Sequence, residues 1–143
     1  MARPIFSRQS GRQDVRLYTK KTGAAIAVGD LLALDDDSFN VFAAATDKLV
    51  YGIALDALAS SSTATMRVDR IDGNTVVRAK VATGTAAASE VGAFADIGSS
   101  TTGITLTESN NDCVIVGFPE AGYQDVMFGA NAAYPTPTTV VSD

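Results

Sequence analysis

Val28-Gly29-Asp30-Leu31-Leu32-Ala33-Leu34 and Val91-Gly92-Ala93-Phe94-Ala95-Asp96-Ile97 open two copies of one phrase. The first copy closes at Leu49-Val50-Tyr51-Gly52-Ile53-Ala54, the second at Val114-Ile115-Val116-Gly117-Phe118-Pro119. Each begins Val-Gly with a short apolar run, crosses a polar loop, and ends in an apolar triplet followed by Gly and another apolar residue. The copies lie about sixty residues apart. Short apolar runs bounded by turn residues read as buried strands. Neither copy holds a catalytic constellation, so the repeat predicts architecture: a mainly β domain with an internal repeat.

Working outward, Asp14-Val15-Arg16-Leu17-Tyr18-Thr19 alternates polar and apolar residues and predicts a half-buried strand. Ala25–Leu34 is apolar on both parities and predicts a buried strand bent at Gly29, followed by an Asp35-Asp36-Asp37-Ser38 loop and a short strand at Phe39–Phe42. Leu49–Leu58 predicts another strand. Ala64, Met66 and Val68 share one face of the next, and Thr75–Ala82 returns after Asp72-Gly73. Asp-Gly between two alternating runs is a strong short-range hairpin signal, so residues 64–82 are expected to pair as a hairpin. Residues 25–58 and 90–122 would then flank it as the two repeats. Ile104–Thr107 and Asp125–Phe128 predict further short strands. Only Thr83–Ser89 could hold a helical turn, and little helix is expected.

The 143 residues suit one domain, and 46% hydrophobic with 19% charged residues argues against wholesale disorder. Residues 14–131 are expected to form its body. Residues 1–13 read as an extended N-terminal arm and residues 132–143, with Tyr134-Pro135-Thr136-Pro137-Thr138, as an extended C-terminal tail. The net charge of −5 argues against nucleic acid as the main partner. Residues 1–21 run against that balance: Arg3, Arg8, Arg12, Arg16, Lys20 and Lys21 face the single acid Asp14. Two readings stand for this segment, a soluble terminus and an arm ordered by a partner. Pro4-Ile5-Phe6 places apolar residues among the charges and favours the second. The expected partner-binding residues are therefore Arg3, Pro4, Ile5, Phe6, Arg8, Arg12 and Arg16.

The chain has no histidine, which removes the commonest general base and the usual serine and cysteine triads. It carries no Gly-Lys-Ser/Thr phosphate loop. Cys113, alone in the chain, sits in an apolar run and reads as a small buried hydrophobe. Asp35-Asp36-Asp37 is explained by a solvated loop; a bound Ca²⁺ or Mg²⁺ there would need a looping backbone, and that alternative stays open. No cofactor, no metal and no enzymatic activity are expected. Met1–Ser10 lacks the apolar core of a signal peptide, and no run approaches the length of a membrane span.

The stretches Val28-Gly29-Asp30-Leu31-Leu32, Tyr51-Gly52-Ile53-Ala54, Met66–Val81, Val91-Gly92-Ala93 and Ile115-Val116-Gly117-Phe118 together resemble the capsid decoration (cement) proteins of tailed bacteriophages. The resemblance covers roughly residues 24–122. It implies a small β-barrel or β-tulip-like domain on the outside of a phage head, assembled in the host cytoplasm. It further implies a major capsid protein as partner, homotrimers at three-fold positions, and an arm that adds a strand to the capsid subunit. Another β-rich virion protein (tail tube, head–tail joining or fibre subunit) is the alternative. A carbohydrate-binding module is disfavoured by the lack of Trp.

Overall fold

The computed structural model describes residues 4–20, 23, 25–35, 38–41, 50–99, 103–106 and 111–132. Both copies of the repeat open on a glycine in the left-handed region, Gly29 at φ +93° and Gly92 at φ +97°, a conformation other residues adopt at a cost. The Gly29 N–H donates to the Ala54 carbonyl, and the Ala54 N–H donates to the Asp30 carbonyl, both at 2.9 Å. In the second copy Gly92 donates to Ile115 at 2.8 Å and Ile115 to Ala93 at 2.9 Å. The same two bonds thus lock the same turn twice.

After β1 (Phe6–Arg8), five strands form a first unit: β2 (Val15–Thr19), β3 (Leu31–Asp35), β4 (Ser38–Val41), β5 (Val50–Ala54) and β6 (Thr65–Arg70). A second unit follows in β7 (Val77–Thr83), β8 (Phe94–Ser99), β9 (Gly103–Thr105), β10 (Cys113–Glu120) and β11 (Tyr123–Met127). The first sheet runs β2-β6-β5-β3-β4 and the second β1-β7-β11-β10-β8-β9. With β1 set aside, the lateral order is the same in both units. The duplication therefore extends beyond the repeated phrase to all five strands. In the second unit β7 also pairs in parallel with β9, through Val81↔Ile104, and closes a ring. That ring supplies part of the barrel-like architecture that the resemblance implies. The first unit is an open version of it, with no β2–β4 pairing among the described residues. Among the described residues helix is confined to two 3-10 turns, Ala88–Glu90 and Gly129–Asn131.

Two readings of the sequence need correction. Residues 64–82 do not form a hairpin: β6 and β7 lie in different sheets, and Asp72-Gly73 is the corner between the units. Gly73 is not among the glycines with positive φ, so the type I′ geometry that the dipeptide favours is not used. Instead the Asp72 carboxylate accepts the Asn74 N–H at 2.8 Å, an Asx turn. The second correction concerns how the repeats align. Leu32 pairs with Gly52 and Ala95 with Cys113, so the counterpart of Gly52 is Cys113. Gly117 instead faces Asp125 on β11 beside a register shift.

The units share one core and the first has a second of its own. Leu31, Ala33, Val50 and Ile53 of the first unit pack with Val77, Ala79, Ile97, Ile104, Ile115 and Val126 of the second. Ile26, Leu32, Tyr51, Met66 and Val68 fill the other face of the first sheet. That sheet is consequently covered on both sides, which explains why Leu31-Leu32-Ala33 is apolar on both parities. Cys113 is buried as expected, and desolvation, with smaller contributions from Asp112 and Asp96, pushes its thiol up to about 12. The Asp36-Asp37 pair and most of the expected tail, residues 133–143, lie outside the described residues.

Candidate partner-binding surface

The seven residues expected to touch a partner are not gathered on one surface. Arg3 lies outside the described residues. Pro4 is exposed and leans on the Gly29 turn, so close that a Cβ on Gly29 would fall 2.5 Å from its own. Ile5 is half-buried against the shared core, and its carbonyl accepts the Lys80 N–H at 2.9 Å. Phe6 is wholly buried in that core, with β1 paired to β7 through Phe6↔Ala79. Burying one such ring contributes about 2–3 kcal/mol. Residues 5–8 are thus part of the body, and the extended arm of residues 1–13 is not a separate element there. The apolar anchor was legible; that it inserts into its own chain was not.

Arg8 is the second anchor. Its Nε and Nη2 each donate to the Asp69 carboxylate at 2.9 Å, a bidentate pair. Nη2 also donates to the Arg70 carbonyl at 2.7 Å and Nη1 to the Ser10 carbonyl at 3.0 Å. The two side chains are 13% and 4% exposed. Because β1 belongs to the second sheet and Asp69 to β6 of the first, this pair fastens one unit to the other.

Arg12 and Arg16 remain on the surface. Asp14 joins Arg16 at 2.9 Å and Arg70 at 3.1 Å. The hydrogen bond from Arg16, aided by the nearby Arg70 and Arg8 charges, holds the exposed Asp14 carboxyl below its ordinary range. Arg8, Arg12, Asp14, Arg70, Asp72 and Thr75 line a hollow of about 510 Å³ at this end of the molecule.

Beside it, β2 is the terminal strand of its sheet. Tyr18 faces inward, stacked edge-on to Tyr51 with ring centroids 5.1 Å apart and their hydroxyls hydrogen-bonded. Val15 and Leu17 face outward, Leu17 being 68% exposed. The alternation expected for this strand is present, yet its aliphatic side meets solvent instead of the core. Period alone does not say which side is covered. A terminal strand with exposed aliphatic residues can accept a further strand through its backbone. Lys20, just after it, is buried, with Nζ donating to the carbonyls of Ser60 at 3.2 Å and Ser62 at 3.4 Å.

Among the described residues no three of His, Cys, Asp or Glu group to hold a metal ion, and no helix is long and apolar enough to cross a membrane. Residues 10–70 match the model of a protein family described as phage cement protein. The chain is similar to phage cement proteins. This bears out the resemblance drawn from the sequence. The matched segment begins just before β2 and ends with β6, so the cement-protein match coincides with the first five-stranded unit. No curated protein matches the chain.

Proposed function

We propose that this protein is a non-enzymatic decoration protein that binds the outside of a phage head and stabilises the assembled shell. The observation that carries the reading is the match of a complete structural unit, β2–β6, to phage cement proteins. A ligand that binds the assembled shell, and not its dispersed subunits, stabilises the shell by mass action. The partner is the major capsid protein, met at three-fold positions by a homotrimer at the virion surface.

The contact we assign to that partner is narrower than the whole N-terminal segment. Phe6 and Arg8 are engaged within the fold, and using them outside would require β1 to leave β7. Val15 and Leu17 face outward on β2, Arg16 stands exposed on the strand's other side, and Arg12 is exposed on the approach to it. They offer a basic and aliphatic strand edge on an acidic body. Strand addition there would draw affinity from backbone hydrogen bonds, with Arg12 and Arg16 fixing the register.

The test uses purified heads stripped of this protein. Wild-type protein should rebind to saturation and raise the temperature at which the heads rupture; failure of both overturns the function. Arg12→Glu and Leu17→Glu should leave the fold intact and lower occupancy at least tenfold. Unchanged occupancy of both variants on heads that bind wild type overturns the assigned surface alone.

A further inference from the structure

The second unit shows what the open edge of β2 in the first can hold. Val68 pairs with Arg16 and Ala54, as Val126 pairs with Val77 and Ile115. Ala54 and Ile115 hold the same place in the two locked glycine turns. Arg16 therefore corresponds to Val77, Val15 to Val76 and Leu17 to Arg78. On β7 that stretch carries β1 antiparallel along its outer edge, with Ser7 opposite Arg78 and Arg8 opposite Val77. The Gln9 N–H donates to the Val76 carbonyl at 2.8 Å and the Lys80 N–H to the Ile5 carbonyl at 2.9 Å. β9 joins β7 only from Val81 onward, so the stretch that matches β2 belongs to β1 alone.

β2 offers the same backbone groups with no strand on them. The Arg70 N–H donates to the Asp14 carbonyl at 2.9 Å and the Lys20 N–H to the Ala64 carbonyl at 3.2 Å, so the even-numbered positions between them bond β6. Alternate positions of an antiparallel ladder point the other way, which directs the N–H and C=O of Val15 and Leu17 at the open edge. Among the described residues no backbone hydrogen bond meets them there. The side chains narrow what fits. The exposed Val15 and Leu17 call for aliphatic residues opposite them, and Arg16 calls for a carboxylate. Asp14, which bonds Arg16, is also held by Arg70 and stays paired when Arg16 turns away. Two strands of a second copy fit poorly: β1 would set Arg8 against Arg16, and β2 would bring Arg12 and Arg16 of both copies together.

We infer that the outer edge of β2 takes an acidic extended segment, antiparallel and in the register that β1 adopts on β7. Its carboxylate lies opposite Arg16, between aliphatic residues opposite Leu17 and Val15. Resting on the decoration reading, that segment belongs to the capsid protein.

The test uses the full chain and the capped peptide Ser-Thr-Thr-Val-Glu-Val-Ser, followed by NMR. Binding should slow hydrogen exchange at the Val15 and Leu17 amides at least tenfold and leave that of Arg16, already bonded to β6, unchanged. A nitroxide at the peptide's C-terminus should broaden the Asp14 amide more than that of Thr19; the reverse order overturns the antiparallel direction. Exchanging the peptide's Glu for Lys should weaken binding at least fivefold, and equal affinity overturns the acidic pattern. Leu17→Pro deletes an N–H that β6 does not use, so the variant should fold as wild type and lose the peptide, whereas Leu17→Val keeps it. No protection in wild type, or undiminished binding by Leu17→Pro, overturns the inference. These measurements need no heads. Heads that fail to rebind the protein overturn the function and leave the edge assignment standing. A peptide that binds yet does not displace the protein from heads overturns the capsid protein as the source of the segment.

Discussion

Arg8→Met isolates the fastening between the two units. The substitution keeps the aliphatic stem and removes the guanidinium, leaving the Asp69 carboxylate with the Asp14 N–H at 3.3 Å. Removing one partner of a buried pair costs about 3–5 kcal/mol, because the other charge stays desolvated. Arg8 keeps some solvent contact, at 13% exposed, so the lower end applies, about 3 kcal/mol. At a urea m value of about 1.5–2 kcal/mol/M, the unfolding midpoint should fall by about 1.5–2 M with m unchanged. Arg8→Met combined with Asp69→Leu removes both charges and should recover most of that loss, since an apolar replacement of a buried pair is often near neutral. A single-variant loss below about 0.5 kcal/mol, typical of an exposed pair, would refute the reasoning. So would a double variant as unstable as the sum of its singles, because independent sites add and coupled ones do not.

Three further outcomes are expected. Gly92→Ala should cost about 1–2 kcal/mol for its positive φ alone, since nothing lies within 4 Å of an added Cβ. Gly29→Ala should cost about 1–3 kcal/mol more, because its Cβ would meet Pro4 at 2.5 Å; equal midpoints in urea would mean that Pro4 does not pack there. Burial raises the carboxyl pKa of Asp112 despite the Ile97 N–H at 2.9 Å. The folded state then binds the proton more readily than the unfolded one, so the ionised side chain costs stability at neutral pH and the cost fades as pH falls. Asp112→Asn should therefore gain on wild type at pH 7 and lose that advantage by pH 3, as read by parallel thermal unfolding. Cys113, buried with its thiol pushed up to about 12, should react with a thiol reagent at least about a thousandfold slower in native protein than in urea.

The strands were legible because short runs such as Met66-Arg67-Val68 and Val77-Arg78-Ala79 alternate with a period of two, and that period survives any choice of partner. Pairing was not legible, for the same reason. Met66 and Val68 belong to the core inside the first unit, while Val77 and Ala79 belong to the shared one. Asp72-Gly73 signals a turn between them, but a turn fixes only the local path. Charge misled in a similar way. Arg8 looked like one of several surface cations because its partner Asp69 lies sixty-one positions away in sequence, and the fold alone brings them together. Of the expected binding residues, the structure leaves Pro4, Arg12 and Arg16 on the surface and commits Phe6 and Arg8 to the interior or the seam.

The family match stops where the first unit ends. Residues 10–70 hold one entire five-stranded unit, while the second keeps its strand order and its locked glycine turn with different residues on the outer face. Leu31 corresponds to Phe94, Gly52 to Cys113 and Asp69 to Met127. These exchanges follow from position. The first unit's Gly52 lies against the Asp69 carbonyl, where an added Cβ would sit 2.5 Å away, so the site tolerates nothing larger. The second unit's Cys113 packs in the shared core, with its Sγ 3.6 Å from the Ala95 carbonyl. Asp69 stands in the unit that grips Arg8, and the apolar Met127 takes the corresponding place in the other. One unit is thus specialised to be held by the N-terminal strand, and its twin presents an apolar face with no charge to satisfy.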